Sequence, residues 1–385
     1  MSKSVGRLSR SRRRSIESRS RLRMPNRSAD RSRTLLSQEE IRAVSGCFRT
    51  DKVLRAQAFN KGSHRFPKAV VECAGGLRFL LKRRALSEDN IARLRFSHSV
   101  QLELEKHHFP MPNLQRTGAQ ATWIAHGQFI YELFNFVAGE RYLRSVAESR
   151  ESGLLLSRLH RTLHGWSAIT PSPRHTGYHN SRAVSSAWDR VAPAVMSVDP
   201  TVSATELGQL CQQLRDQYTQ AAAAAEVALS ANAESSLRSI IHGDFHPGNI
   251  LFFTGSAIAL LDFDSVRFDR TIFDIANGVL QFGMQGANRK LGSNQDPSLN
   301  MEGIQGFLAG YAWSGQSLPR ASECPAIPAL MIEAGIAEVI PRVAHDGALG
   351  SHPAIDYLRF LTQRSQWIWS ARAELTTLCT SCATD

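Results

Sequence analysis

The chain has 385 residues, of which 42% are hydrophobic and 21% charged, the balance of a soluble globular protein with material for two domains or one bilobal domain. No apolar run reaches the roughly 18 residues of a membrane helix, and no apolar core follows the basic N-terminus, so neither a membrane span nor a secretory leader is expected. The formal charge of +12 invites a nucleic-acid reading, but residues 1–34 hold one Lys and eleven Arg against one Glu and one Asp, a net of +10, which leaves about +2 for the rest.

Residues 1–34 are Arg/Ser-rich with almost nothing to bury, so a disordered tail is expected there. A solvated tail, an electrostatic tether to RNA or anionic lipid, a transit-type leader and a true start at Met24 all fit that composition. Order is expected from Ser37, where Ser37-Gln-Glu-Glu40 forms a capping box for a short helix. Val53 to Phe59 alternates like a strand. Ala69–Glu72 and Leu77–Leu81 flank Gly75-Gly76, a pair suited to a type I′ hairpin turn. Phe96, Val100 and Leu104 recur every four residues on a helix that stops before Pro110-Met-Pro112. A second hairpin runs from Thr122 through His126-Gly127 to Leu133. Beyond Gly139 the pattern is helical over Leu154–Leu163, Leu207–Ala231, Ala326–His345 and Ala354–Leu375, interrupted by a small hairpin, Ile250–Phe253 and Ile258–Leu261. These segments predict an α+β chain: an antiparallel sheet lobe over 35–134, a helical lobe over 135–376 and a flexible end at 377–385. The six cysteines lie far apart except for Cys379-x-x-Cys382, which has no second Cys/His pair for a metal; this usage fits free thiols in a reducing, cytoplasmic setting.

The chemistry-bearing stretch is Ile241-His-Gly-Asp-Phe-His-Pro-Gly-Asn-Ile-Leu251, followed by Leu260-Leu-Asp-Phe-Asp264. Phosphoryl transfer needs a carboxylate to orient and deprotonate an attacking hydroxyl, and oxygen ligands to hold Mg²⁺ against the phosphates. Asp244 and Asn249 have the five-residue spacing of the catalytic Asp and metal-binding Asn of a kinase loop. Pro247-Gly248 between them enforces a tight, non-helical turn. Asp262 ends a buried apolar strand, where an unpaired carboxylate is costly unless it holds a metal.

These two segments resemble the Brenner-type loop of the aminoglycoside phosphotransferase superfamily, which also includes choline kinases and type II homoserine kinases. The resemblance implies a bilobal protein-kinase-like fold, ATP and Mg²⁺ as cofactors, Asp244 as catalytic base, Asn249 and Asp262 as metal ligands, Asp264 as an aid at the metal, and Asp274 as a structural Asp. It places Asn60–Arg65, with Ser63, as the loop covering the phosphates, Lys82 as the ATP-binding lysine, and Asn135-Phe136 as the hinge whose backbone meets adenine. One position departs: His98 stands where the family carries the glutamate that pairs with the lysine, so Lys82 must be positioned otherwise or activity is low.

The expectation is therefore an ATP- and Mg²⁺-dependent phosphotransferase acting on a hydroxyl of a small metabolite: an amino alcohol, a sugar or a hydroxy amino acid. The competing expectation is a kinase-like nucleotide-binding or scaffold protein with little turnover. A protein kinase is disfavoured because the loop reads His242-Gly243-Asp244 without the usual Arg and no Ala-Pro-Glu segment follows. Nucleic acid is not expected as a partner except weakly through the tail, since the ordered part is nearly neutral. The stretch from Phe282 onward mixes acids evenly with Arg, which disfavours a polycationic acceptor.

Overall fold

The computed structural model describes residues 36–59, 66–168, 171–172, 177–231, 236–285, 296–313, 321–350 and 352–382. The basic segment 1–34 and the loop 60–65, with Ser63, lie outside the described residues. The N-terminal lobe opens on helix α1 (Gln38–Ser45), whose capping box has the reciprocal Ser37 and Glu40 hydrogen bonds expected of that motif. Strands β1 (Val53–Ala58), β2 (Lys68–Cys73), β3 (Arg78–Ala85), β4 (Ile124–His126) and β5 (Phe129–Asn135) form one antiparallel sheet in the order β1-β2-β3-β5-β4. Helix α2 (Glu88–Lys106) crosses from β3 toward β4. The alternation of β3 turns Leu81 into a small core with Ile41, Val44, Val71 and Leu133. The β2–β3 turn is one residue longer than a type I′ loop: Gly76 donates to the Cys73 carbonyl, and Cys73 pairs onward with Leu77.

The C-terminal lobe is helical: α3 (Val146–Thr162), α4 (Arg182–Ser185), α5 (Trp188–Val198), α6 (Ala204–Ser230), α7 (Ile272–Gly283), α8 (Met301–Trp313), α9 (Ala326–Asp346), α10 (Ala354–Ser370) and α11 (Arg372–Ser381). Its core is continuous with the inner face of α2, so Phe96, Val100 and Leu104 fasten the two lobes together. Helices α3 and α8 pack closely through glycines: a side chain at Gly153 would run into the Phe307 carbonyl, and one at Gly310 into that of Arg150. This tight crossing brings His160 and Tyr311 together beneath the candidate site.

Three strand pairs break the helical pattern. The hairpin β7 (Ile250–Phe253) and β8 (Ser256–Leu260) lies where the sequence places one, turning at Thr254-Gly255 with positive φ at both residues. The pair β6 (Arg238–Ile241) and β9 (Arg267–Arg270) and the short pair β10 (Ala348–Leu349) and β11 (His352–Pro353) were not expected. Two expectations at the C-terminus need correction. The helix expected over Ala354–Leu375 is two helices that break at Ala371, and the flexible end expected from 377 is ordered as far as Cys382. Leu375 and Cys379 on α11 are buried in the main core, which orders that last helix.

Candidate functional site

The loop after β6 is held from below by Asp274 at the start of α7. Its Oδ2 accepts the His242 backbone N–H at 2.6 Å, and its Oδ1 accepts that of Gly243 at 2.8 Å. His160 donates from Nε2 to the same carboxylate at 3.2 Å, so its Nδ1 accepts from the Tyr311 hydroxyl at 2.8 Å. Burial raises the Asp274 pKa, but these donors outweigh it and keep the carboxyl below its ordinary value. Gly243 sits at φ +76°, and a Cβ there would meet the Ser265 carbonyl and the Arg267 guanidinium, so glycine is required at this corner.

Beyond Gly243 the chain presents Asp244 with its side chain half exposed. Asn249 is buried and donates from Nδ2 to the Asp244 carbonyl at 2.9 Å and toward its Oδ2 at 3.3 Å. His246 accepts the Gly248 N–H on Nδ1 at 3.0 Å, which leaves Nε2–H facing Asp244 Oδ2 at 3.7 Å. Burial works to raise the Asp244 pKa, yet His246, His242 and Asn249 hold it below the ordinary carboxylate value. Burial likewise works to lower His246, and the Asp244 carboxylate overcomes it and raises the imidazole.

The second segment is tied to this loop at two points. Leu261 donates its backbone N–H to the Asn249 carbonyl at 2.8 Å, and His242 donates from Nε2 to the Leu261 carbonyl at 3.0 Å. Asp262 follows in the left-handed region at φ 59°, which swings it out of the strand toward the sheet lobe. Lys82 Nζ lies 3.1 Å from Asp262 Oδ1 and 2.7 Å from Asp264 Oδ2. Arg84, on the same face of β3, reaches Asp264 Oδ1 at 2.5 Å and grips Glu132 of β5 with both Nε and Nη2. His98 does not touch Lys82: its Nε2 is 2.9 Å from Glu132 Oε1 and its Nδ1 is 2.7 Å from Thr122 Oγ1. Phe66 roofs the cluster, with Lys82 Nζ 5.1 Å and Arg84 Cζ 5.0 Å from its ring centre. Burial disfavours the Lys82 charge, but Asp264 and Asp262 outweigh it and raise its pKa. Burial is likewise outweighed at Asp264, where Lys82 and Arg84 hold the carboxyl well below its usual range.

The structure thus brings Asp244, Asn249, Asp262, Asp264 and Lys82 into one region between the lobes. Asn135 and Phe136 leave β5 at its edge, and both backbone N–H groups are used within the protein: Asn135 donates to the Asn113 carbonyl at 3.0 Å and Phe136 to that of Arg78 at 2.9 Å. An adenine at this stretch would therefore meet carbonyls or a later amide. Three residues of the cluster were not singled out in the sequence: Arg84, Glu132 and Thr122. Glu132 carried the clearest signal, an acid inside the apolar run Phe129-Ile-Tyr-Glu-Leu-Phe134.

Among the described residues no group of three or more His, Cys, Asp or Glu side chains is arranged to hold a metal. The donors here are two carboxylates and an amide: Asp262, Asp264 and Asn249, whose Nδ2 is engaged by Asp244 so that Oδ1 is the amide atom left for a cation. This all-oxygen set fits a hard divalent ion such as Mg²⁺. Around it Asp262, Asp264 and Glu132 face Lys82 and Arg84, and Lys68 on β2, opposite Lys82, lies within reach of the same charges.

Among solved structures, an aminoglycoside phosphotransferase from Alicyclobacillus acidocaldarius matches with a TM-score of 0.60 at 17% identity, over 88% of this chain and 95% of that one. An amicoumacin kinase in complex with AMP-PNP and Ca²⁺ matches with a TM-score of 0.57 at 11% identity, over 91% of this chain and 96% of that one. A choline kinase from Cryptosporidium parvum matches with a TM-score of 0.54 at 14% identity, over 83% of this chain and 89% of that one. At these identities the likeness is one of fold, and it makes the bilobal kinase-like architecture plain. No curated protein sequence matches the chain. The profile of the phosphotransferase enzyme family matches residues 56–315, well over half of the sequence, and the chain belongs to that family.

Proposed function

We propose that the chain is an ATP- and Mg²⁺-dependent phosphotransferase that moves the γ-phosphoryl group to a hydroxyl of a small metabolite, an amino alcohol, sugar or hydroxy amino acid. The observation that carries this reading is the tie between Asn249 and Leu261, which sets the Asp244 loop against the strand that ends in Asp262. The amicoumacin kinase of the same fold was solved with a nucleotide analogue and a divalent cation, in keeping with a site of this kind.

In this mechanism Asp244 orients the acceptor hydroxyl and takes its proton, and its depressed pKa keeps it ionised for that task at neutral pH. Asn249, Asp262 and Asp264 would hold Mg²⁺, which would supply neutralisation of charge that develops on the transferred phosphoryl group. Lys82 would turn from its carboxylates to the phosphates, the backbone at Asn135 and Phe136 would border the base, and Ser63, outside the described residues, is the residue expected to cover the phosphates. Residues 35–134 serve as the nucleotide lobe, and the lobe from 135 onward brings the catalytic loop and the acceptor.

One observation favours a second reading, a nucleotide-binding protein with little turnover: both Lys82 and Arg84 are held by carboxylates and His98 supplies no acid. Asp244→Asn separates the two. ADP release with a panel of hydroxyl acceptors should fall about 10²- to 10⁴-fold in the variant while ATP affinity is kept. A parent protein that binds ATP·Mg²⁺ but releases no ADP with any acceptor leaves only the second reading.

A further inference from the structure

Strand β2 begins on Lys68, which stands directly opposite Lys82 of β3 in the antiparallel register. Residues paired in this way point to the same face of a sheet with their Cβ atoms about 5 Å apart, and like charges there repel each other. The face is the one that carries Lys82 and Arg84 toward Asp262 and Asp264. The alternate residues of β2, Ala69 and Val71, are buried on the other side in the core of the sheet lobe. Lys68 itself is half-buried, and its carbonyl accepts the Phe59 N–H at 2.8 Å, which fixes its backbone in the strand pair.

The three cations of this face differ in what holds them. Lys82 Nζ has two carboxylates, Asp264 at 2.7 Å and Asp262 at 3.1 Å. Arg84 has Asp264 and Glu132. Lys68 forms no hydrogen bond or ion pair among the described residues, and the sequence from Phe59 to Lys68 contains no Asp or Glu. Burial lowers its pKa, Lys82 and Arg84 act in the same direction, and Asp262 and Asp264 pull against them without restoring the ordinary value. A cation short of a counter-charge, set opposite a second lysine, is arranged for an anion that comes from outside the chain.

We propose that Lys68 is a phosphate-binding residue of the nucleotide site, the cation that meets the phosphates without first giving up a partner in the protein. The inference rests on the nucleotide-dependent reading for the identity of the anion. Lys82 can reach a phosphate only by leaving Asp262 and Asp264, and Arg84 only by leaving Asp264 or Glu132. Lys68 has no such tie, and an ammonium suits phosphate oxygens as a compact point charge. It acts on the phosphates directly, so its contribution does not need Mg²⁺, unlike that of Asn249 or Asp262.

Calorimetric titration of the full chain with ATP, ADP and adenosine, each in Mg²⁺ and in EDTA, tests the assignment. Lys68→Met should weaken ATP and ADP about 10- to 100-fold in both media and leave adenosine unchanged. Lys68→Arg should recover most of that affinity. Lys52→Met, which removes an exposed lysine of the same lobe, should bind all three as the parent does. Lys68→Met should melt no lower than the parent, because it removes a charge that faces Lys82. ATP that binds Lys68→Met as it binds the parent overturns the proposal and leaves the phosphotransferase reading intact. A loss that falls equally on adenosine, that appears only in Mg²⁺, or that Lys68→Arg does not reduce overturns it too. A phosphate-specific loss, in a parent that releases no ADP with any acceptor, upholds Lys68 and defeats phosphotransfer. A parent that binds none of the three overturns both.

Discussion

Glu132 on β5 stands directly opposite Lys82 on β3, yet its carboxylate is gripped by Arg84 and by His98, whose Nε2 lies 2.9 Å from Oε1. His98 is thus a donor to the sheet carboxylate that holds Arg84, while Lys82 pairs with Asp262 and Asp264. Restoring a glutamate at 98 would therefore set two carboxylates against each other in a buried place. His98→Glu should lose about 3 kcal/mol or more of stability and should not improve ATP affinity. His98→Gln, which keeps a donor toward Glu132, should lose much less. Thermal melts and nucleotide titrations of the two variants check this; a His98→Glu protein as stable as the parent would show that the pair is inert.

What the sequence revealed and what it hid follow from how far apart the partners lie in the chain. Asp244, Asn249 and Asp262 belong to two short segments whose residue types and spacing are local, so they could be read directly. Lys82 was legible from the end of its strand. Its surroundings were not, because Glu132 stands opposite it only through the β3–β5 register and Asp264 reaches it only through docking of the two lobes. The β6–β9 pair escaped notice because each strand is four residues long and is framed by the Asp274 contacts rather than by its own alternation. The break at Ala371 carries no glycine or proline, and Arg364 looks like any polar residue of an amphipathic helix until packing turns it inward.

Removal of the oxygen donors tests the cation site. Asn249→Ala and Asp262→Ala should each weaken ATP binding roughly 10- to 100-fold in the presence of Mg²⁺. Without the metal the difference should shrink, since the lost atom acts through the cation. In Asp262→Ala, Lys82 keeps Asp264 at 2.7 Å, so the sheet lobe should still fold. Calorimetric titration with and without Mg²⁺ is the measurement; variant and parent curves that coincide in Mg²⁺ would exclude these residues as ligands.

Acid should loosen the cluster. Burial pushes the Glu132 carboxyl up, but Arg84 and His98 prevail and hold it below the ordinary 4.5, and Asp264 is depressed as well. A depressed carboxyl contributes stability that is complete above its unfolded pKa and is lost as pH falls through the folded value. The melting temperature of the parent should therefore be steady near neutrality and decline as pH drops below about 4.5. Glu132→Gln starts less stable, because Arg84 and His98 lose a charged partner, and its acid decline should be shallower. Melts from pH 7 to pH 2 decide the matter, and parallel curves for the two proteins would deny Glu132 any part in the acid transition.

His246 is the residue through which the loop should respond near neutral pH. Two contacts pull its proton in opposite directions: the Gly248 N–H on Nδ1 favours the neutral ring, and Asp244 at 3.7 Å favours the charged one. Asp244 prevails against burial and lifts the imidazole above its ordinary 6.5. A raised pKa of this kind contributes stability that is complete below the unfolded value and is lost as pH rises through the folded one. His246→Asn keeps a side-chain acceptor for Gly248 but removes the charge, whereas His246→Ala removes both and should cost about 1 kcal/mol for the lost cap. The stability gap between the parent and His246→Asn should be widest below pH 6.5 and close as pH rises above it. The same proton shapes turnover: without the imidazolium, burial acts on Asp244 with less opposition, so the acid limb of the rate profile should move upward in His246→Asn. Melting temperatures and ADP-release rates between pH 5 and pH 9 read out both effects. A stability gap that does not change with pH, together with an unmoved acid limb, would reduce His246 to a backbone cap.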